Sequence, residues 1–259
     1  MTHLDIKLKL ANTAATLILV GSHGFSFQDW FLRHPEKFGG RDFILILSVI
    51  LEVLLVGMTI YQWLPSAPKD AFEAIGFWYL LIALVNSGQA LLWYFHLDIL
   101  AYVGLLWLLA SVGFVYHRLR DYPPRNAVDL LFVNAPFSIY AAFTFFATLF
   151  QSFWFSEVTR THPVVHTVII IIVGFVALHL VDYSQRKDWI YAATTSWILL
   201  AAAVFLTGVP HVTSLVVCGI LVSAIARATV PDILDRANKR FSRLTDRLSG
   251  ERAPLLGGN

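Results

Sequence analysis

The chain has few charged residues and a single cysteine, and both scarcities narrow its class. Charged residues make up 14% of the 259 residues, whereas about 25% is usual in soluble proteins. The one cysteine, Cys218, excludes a disulfide framework and a metal cluster built on several cysteines. No glycine-rich phosphate loop is present, which argues against nucleotide chemistry. A net charge of +2 provides no general basic surface, so we expect no nucleic-acid partner.

Hydrophobic residues, in contrast, make up 57% of the chain, above the roughly 45–50% of an average protein. A soluble domain of this length could not bury so much apolar surface, because a large share of any folded surface faces water. The mean hydropathy of +0.66 agrees with this argument. The polar segments between the apolar ones are too short to form a separate catalytic domain. We therefore predict an integral membrane protein whose main partner is the lipid bilayer.

Eight apolar stretches are long enough to cross a bilayer as helices, which takes about 20 residues each. They cover roughly residues 6–26, 43–64, 76–95, 98–118, 128–153, 164–183, 188–207 and 210–229. Turn-forming residues separate two pairs of these stretches, at His96-Leu97-Asp98 and at Gly208-Val209-Pro210. The sequence therefore predicts an all-α, polytopic transmembrane helix bundle over residues 1–230, with seven or eight spanning helices.

The first stretch has two interpretations. Lys7 and Lys9 before a short apolar run are typical of the start of a cleaved signal peptide. No convincing small-x-small cleavage site follows Val20, which favours a helix that stays in the protein. The orientation of the later spans is the same in both cases.

The distribution of lysine and arginine predicts that orientation. With eight spans, one side of the membrane receives 15 of the 19 basic residues. The other side receives only Arg33, Lys37, Arg41 and Arg160. Because cytoplasmic loops carry the excess of basic residues, both termini are predicted to be cytoplasmic.

Residues 231–259 are predicted to form an amphipathic basic helix and a cytoplasmic tail. Apolar residues recur there every three or four positions, at Leu234, Ala237, Phe241, Leu244 and Leu248. Arginine and lysine occupy the remaining surface. Such a helix lies on a membrane, so residues 233–248 are expected to bind anionic lipid headgroups, with a protein partner as the alternative.

The end of the chain carries a motif that resembles a sorting signal. Glu251 stands four positions before the pair Leu255-Leu256. This arrangement is similar to the acidic dileucine signal that adaptor complexes read in eukaryotic cells. It points toward an endosomal or vacuolar membrane.

Glu52 lies near the centre of the second span, with only apolar residues for several positions on either side. An ionised carboxylate there costs a few kcal/mol or more, so Glu52 must face the interior, pair with another group or stay protonated. It would then relay protons, anchor a ligand, or only hydrogen-bond a neighbouring helix. The polar residues best able to share its site are Asn86, Gln89, Asn134 and Gln151.

Two tryptophans and one proline mark further positions inside the bundle. Trp107 and Trp197 lie in the middle of their spans, away from the interface where tryptophan is common. They pack between helices or line a ligand cavity. Pro136 removes a backbone donor near the start of the fifth span and is expected to kink that helix. Kinks of this kind often border cavities.

Four short patterns occur in a recognisable order across roughly residues 40–200. The most distinctive is Pro136-Phe137-Ser138-Ile139-Tyr140 with Ala147-Thr148 behind it. The others are Tyr61-Gln62, Asn86, and Asp188-Trp189-Ile190-Tyr191 ahead of Trp197. Together they resemble the tryptophan-rich sensory protein family, also called the translocator protein or peripheral benzodiazepine receptor family, in its longer polytopic relatives.

The resemblance implies a non-catalytic membrane protein that binds a small hydrophobic ligand, such as a porphyrin, a sterol or a lipid, in a bundle cavity. The chain also departs from the family's pattern. Ala142-Phe143 stands where the family has Gly-Trp, Ser48 where it has an early tryptophan, and Gln89 where it has the tryptophan of Asn-x-x-Trp. Several of the family's ligand-associated aromatic residues are therefore absent or replaced.

The leading prediction is thus a translocator-like ligand-binding protein with no catalytic residue, metal or cofactor. The candidate ligand-binding residues are Glu52, Asn86, Trp107, Pro136, Tyr140 and Trp197. The first alternative is a proton-coupled secondary transporter that uses Glu52 as its proton site.

A zinc-dependent intramembrane lipid hydrolase is the second alternative. His162 and His166 form an H-x-x-x-H on one helical face, a spacing that can hold zinc. His96, Asp98 and His211 are predicted on the same side of the membrane. The glutamate that follows the first histidine in zinc peptidase helices is missing, so interfacial histidines without metal are the simpler interpretation.

Overall fold

A computed structural model describes residues 5–33, 41–152 and 162–252, and the regular structure within these ranges is entirely helical. The prediction of an all-α chain is confirmed. The described residues form α1 (Ile6–Arg33), α2 (Arg41–Tyr61), α3 (Lys69–Ile75), α4 (Trp78–Tyr94), α5 (Asp98–Leu119), α6 (Ala127–Ser152), α7 (Pro163–Tyr183), α8 (Trp189–Phe205) and α9 (Val209–Arg252).

Helix α7 illustrates why the bilayer selects helices. It contains a run of seven β-branched residues, 167–173, which in water would favour a strand. A single strand in lipid would leave its backbone N–H and C=O groups without partners, whereas a helix bonds all of them internally. The run is accordingly helical along its whole length.

Each of the eight predicted spans coincides with one of these helices. The short helix α3 corresponds to none of the predicted spans. By length and composition, α5, α6, α7 and the Val209–Pro231 part of α9 can each cross a membrane. The pair α3 and α4, bent by 43°, makes a fifth candidate, while α8 and the apolar part of α2 (Ile46–Tyr61) are shorter. The chain is therefore an integral membrane helix bundle, and seven or eight crossings remain the prediction.

The third predicted span begins at a break between α3 and α4. Gly76 stands at the break with a φ of 54°, a left-handed conformation that glycine adopts without steric cost. Phe72 and Ile75 of α3 are fully buried against the bundle. The short helix α3 therefore packs against the bundle and meets α4 at a 43° bend.

Small residues allow the last helices to pack closely. α8 packs along α9, which also contacts α7. Gly174 of α7 lies so near α9 that a Cβ atom on it would come within 2.2 Å of Val217. Van der Waals packing of this kind is the main attraction between helices in lipid.

The connections after α2, α5 and α7 lie at the same end of the bundle. The Arg125 guanidinium donates to the Ser66 carbonyl over 2.7 Å, and the Arg120 guanidinium donates to the Arg186 carbonyl over 3.1 Å. We call this end the basic end, because six basic residues line its two cavities: Lys9, Lys69, Arg120, Arg125, Arg186 and Lys187. All six belong to the group predicted to share one side of the membrane.

Helix α9 passes through Pro231 and stays helical to Arg252. A proline inside a helix removes one backbone hydrogen bond, which a long helix tolerates. The predicted amphipathic helix is thus continuous with the last span. Most side chains after residue 231, and residues 253–259 with the pair Leu255-Leu256, lie outside the described part of the chain, so their predicted roles are not tested.

Candidate functional site

The Asp188 carboxylate joins three helices near the basic end. Its Oδ2 accepts hydrogen bonds from the Ser138 hydroxyl over 2.7 Å and from the Tyr116 hydroxyl over 2.9 Å. Its Oδ1 accepts from the Tyr191 backbone N–H over 2.9 Å and so caps the first turn of α8. The stretches 136–140 and 188–191, which carried most of the family resemblance, therefore meet at one carboxylate.

The start of α6 contains a wider helical turn just before Pro136. After the first helical turn, Leu130–Asn134 forms a wider π-helical turn, in which the Ala135 N–H donates to the Leu130 carbonyl. Proline cannot donate to the carbonyl four positions before it, and a π-turn absorbs such a defect in a helix. The structure thus shows a wide turn shortly before Phe137 and Ser138, and a kink at Pro136 stays a prediction.

A cavity of about 500 Å³ opens beside Asp188, and we call it the Asp188 cavity. It lies between the end of α5, the start of α6, the start of α8 and one turn of α9. Its apolar walls come from Leu119, Leu130, Phe137, Trp189, Ile190 and Ala228. This volume is within the usual range of about 300–1,000 Å³ for small-molecule sites.

Three basic residues, Arg120, Arg186 and Lys187, also line the Asp188 cavity. Arg120 is held in place, since its guanidinium donates to the Ser184 hydroxyl as well as to the Arg186 carbonyl. The side chains of Arg186 and Lys187 are exposed. The cavity thus combines apolar walls with a positively charged mouth.

A second cavity of about 640 Å³ adjoins the other side of the Pro123-Pro124 segment. We call it the Arg125 cavity. At its edge the buried Asp129 carboxylate accepts from the Tyr61 hydroxyl over 2.6 Å and from Arg125 Nε over 2.8 Å. This hydrogen bond and the negative charge of Asp129 raise the pKa of Arg125 above its ordinary value. Pro123, Pro124 and Asn134 line both cavities.

Glu52 has a partner that sequence reasoning missed. Its Oε1 lies 2.7 Å from His23 Nδ1, and His23 Nε2 lies 2.7 Å from Asn86 Nδ2. Glu52 and Asn86, both predicted site residues, are therefore bridged by an imidazole from α1. A signal for this contact exists in the sequence, because Asn12, Thr16 and His23 follow one helical face of α1.

The six predicted ligand-binding residues do not share one cavity. Glu52 and Asn86 lie together, and Pro136 and Tyr140 are buried in α6. The Tyr140 hydroxyl is buried without a hydrogen-bond partner among the described residues. Trp107 is 60% exposed on α5, and Trp197 packs partly buried against the core. None of the six lines the Asp188 cavity or the Arg125 cavity.

Three of the four histidines named for the zinc alternative have other contacts. His162 caps α7 by accepting from the Val164 N–H, and the His166 ring stacks on Phe150 at 6.3 Å. His211 Nδ1 lies 2.8 Å from the Ala203 carbonyl oxygen. Within the ranges that the structure describes, no three His, Cys, Asp or Glu residues come together as metal ligands.

Comparison with known proteins identifies one family. The model of the family described as TSPO-like protein matches residues 43–229, which is most of the chain and includes both stretches that meet at Asp188. The resemblance seen in the sequence is therefore confirmed. No curated protein and no solved structure matches the chain significantly.

Proposed function

The chain belongs to the TSPO-like family, and we propose that it binds a small hydrophobic ligand in a cavity of its helix bundle and catalyses no reaction. One observation carries the proposal: the two family-like stretches meet through Ser138 and Asp188 at the wall of an apolar cavity. A cavity with mostly apolar walls and a few fixed polar groups is typical of a ligand-binding site.

The charges of the Asp188 cavity favour one kind of ligand. Its apolar walls would hold the hydrophobic body of a porphyrin, a sterol or a lipid. An acidic group on that ligand would lie at the mouth, where Arg186 and Lys187 supply positive charge. Among these three classes, we therefore favour ligands that carry a carboxylate or a phosphate.

Thermal unfolding of the purified protein in detergent tests this proposal. We expect an acidic porphyrin or a lysophospholipid with an acidic headgroup to raise the unfolding temperature more than an uncharged analogue does. Leu130→Trp would fill the cavity and remove this stabilisation. Leu131→Trp is the matched control, because Leu131 is 47% exposed on the same turn and does not line the cavity. If no ligand of the three classes stabilises the protein, the proposal is wrong.

Some of the predicted site residues have an indirect part in this proposal. Pro136 and Tyr140 flank Phe137 and Ser138, and we propose that they position these two residues at the cavity wall. That Trp107 and Trp197 contact the ligand stays a prediction. Exchanging either tryptophan for phenylalanine and repeating the thermal measurement would test each one separately.

A second candidate function is proton-coupled transport, which the contact between Glu52 and His23 favours. A carboxylate and an imidazole 2.7 Å apart inside a membrane bundle can take up and release a proton. Flux of a substrate into liposomes would then depend strongly on pH, and Glu52→Gln would abolish that dependence. Flux that is equal at all pH values would exclude this function.

We also propose that both termini face the cytoplasm and that residues 233–248 bind anionic lipid headgroups. The location of six basic residues around the cavities of one end supports this orientation. An endosomal or vacuolar membrane is proposed from the dileucine-like tail. Protease protection of a C-terminal tag in sealed vesicles, with microscopy of the tagged protein, would test the orientation and the organelle.

A further inference from the structure

Helix α1 precedes the segment that matches the family, which begins at residue 43, yet polar contacts join it to α2 and α4. Asn12, Thr16 and His23 share one face of α1. Asn12 Nδ2 donates to Gln62 Oε1 over 3.0 Å, and the Thr16 hydroxyl lies 2.9 Å from the Tyr79 hydroxyl. These four groups are buried, so α1 is joined to the bundle by bonds that water does not replace.

His23 differs from the other residues of this face because its imidazole can bind a second proton, whereas an amide or a hydroxyl cannot. The Glu52 carboxylate beside Nδ1 accepts a hydrogen, and the Asn86 Nδ2 group beside Nε2 donates one. Nδ1 therefore carries the hydrogen and Nε2 offers its lone pair. This arrangement satisfies a neutral imidazole at both nitrogens.

Among the side chains that the structure describes, Glu52 is the charged group in contact with His23. Glu52 comes from α2, and α4 presents Asn86 and Ser87, since no acidic or basic residue occurs in α4. Ser87 donates to Ser22 over 3.0 Å, one position before His23. A proton that reaches this site therefore meets one carboxylate on α2 and only neutral donors and acceptors on α4.

We propose that Glu52, His23 and Asn86 form a proton-binding site that holds α1 against α4 when it is empty and releases that contact when it is occupied. The added proton binds Nε2, which becomes a donor facing another donor on Asn86, so this hydrogen bond is lost. The imidazolium formed pairs with Glu52 more strongly than the neutral ring does. Proton binding thus weakens the contact of α1 with α4 at His23 and strengthens its contact there with α2, while the bond between Thr16 and Tyr79 remains.

Two cysteine pairs in the full chain report these contacts separately, after Cys218→Ser removes the natural cysteine. Ser22→Cys with Ser87→Cys spans α1 and α4, and Thr16→Cys with Thr59→Cys spans α1 and α2. Each pair is oxidised in detergent at about pH 8 and about pH 5. The ratio of cross-linking in the first pair to that in the second corrects for the slower oxidation of thiols in acid. We expect this ratio to fall about fivefold in acid, the effect of losing one hydrogen bond.

Two variants make the test specific. His23→Gln keeps a donor and an acceptor without titrating, so the ratio should no longer change with pH. Asn86→Asp places a carboxylate opposite Nε2, so the ratio should rise in acid. An unchanged ratio in the unsubstituted site, or a fall that persists in His23→Gln, would overturn the proposal. The proposal does not rest on the ligand cavity, since the two are measured independently.

Discussion

The hydroxyl of Ser138 donates a 2.7 Å hydrogen bond to the carboxylate of Asp188, 50 positions further along the chain. The bond joins α6, one turn after its wide turn, to the start of α8, and the same carboxylate caps α8. Asp188 therefore fixes Ser138 at one wall of the Asp188 cavity. It also caps α8, whose first residues line the other side of that cavity. This arrangement makes Asp188 the position where stability and ligand binding should change together.

Replacing Asp188 with alanine should destabilise the protein strongly. The Ser138 and Tyr116 hydroxyls would lose their acceptor, at about 1–3 kcal/mol, and α8 would lose its cap, at about 1 kcal/mol. Chemical unfolding in mixed micelles measures the change. Asp98→Ala is the control, because Asp98 is exposed in the first turn of α5 and α5 has no side-chain cap bond. Equal effects of the two substitutions would contradict the role given to Asp188.

A methyl group at Gly174 should separate α7 from α9. Its Cβ would lie 2.2 Å from a methyl group of Val217, so the helices must move apart or Val217 must leave its rotamer. We expect Gly174→Ala to cost about 1–3 kcal/mol of unfolding free energy, and Val217→Ala in the same chain to restore most of it. Gly219→Ala, which meets open space, should have little effect on packing. A Gly174→Ala protein as stable as the parent would contradict this close approach.

Removing one member of the buried pair Asn12 and Gln62 should weaken the attachment of α1. Gln62→Leu leaves the Asn12 amide nitrogen without an acceptor at a buried position, at about 1–3 kcal/mol. Asn12→Leu together with Gln62→Leu should be less destabilising, because no polar group is then stranded. Thermal unfolding of the single and double variants checks this order. A double variant less stable than Gln62→Leu alone would argue against it.

The basic segment after Pro231 should bind acidic membranes. A peptide of residues 231–252 is expected to gain helicity with vesicles that contain phosphatidylserine and to stay unfolded with phosphatidylcholine alone. Each basic residue near such a surface contributes about 1 kcal/mol. Replacing Arg243 and Arg247 with glutamine should therefore weaken partitioning about thirtyfold. Equal helicity in both kinds of vesicle would refute the electrostatic part of this prediction.

Sequence reasoning succeeded where a local property decides the outcome. The spans were predictable because a single segment of about 20 apolar residues can satisfy its backbone hydrogen bonds in lipid only as a helix. The two predicted turns were equally local. His96 and Gly208 both adopt a positive φ, of 58° and 67°, which ends one helix and permits the next to reverse direction.

Sequence reasoning was less successful where two helices must meet. The sequence marks Glu52 as an intramembrane carboxylate that needs a partner, but no short pattern identifies His23 as that partner, although His23 follows the polar face of α1. The partner depends on how α1 and α2 are rotated about their axes, and no short pattern specifies that rotation. For the same reason, the structure does not place Trp107 and Trp197 at either of the two cavities described.

The amino-acid sequence was sufficient for the class of this protein, its helices and its family, since each follows from hydropathy or from short patterns read in order. Only the tertiary structure decided which residues meet. It joined Ser138 to Asp188 and bridged Glu52 to Asn86 through His23. Helix packing makes that choice because contacts between spans depend on depth, rotation and close approach, which belong to pairs of helices and not to a single stretch of chain.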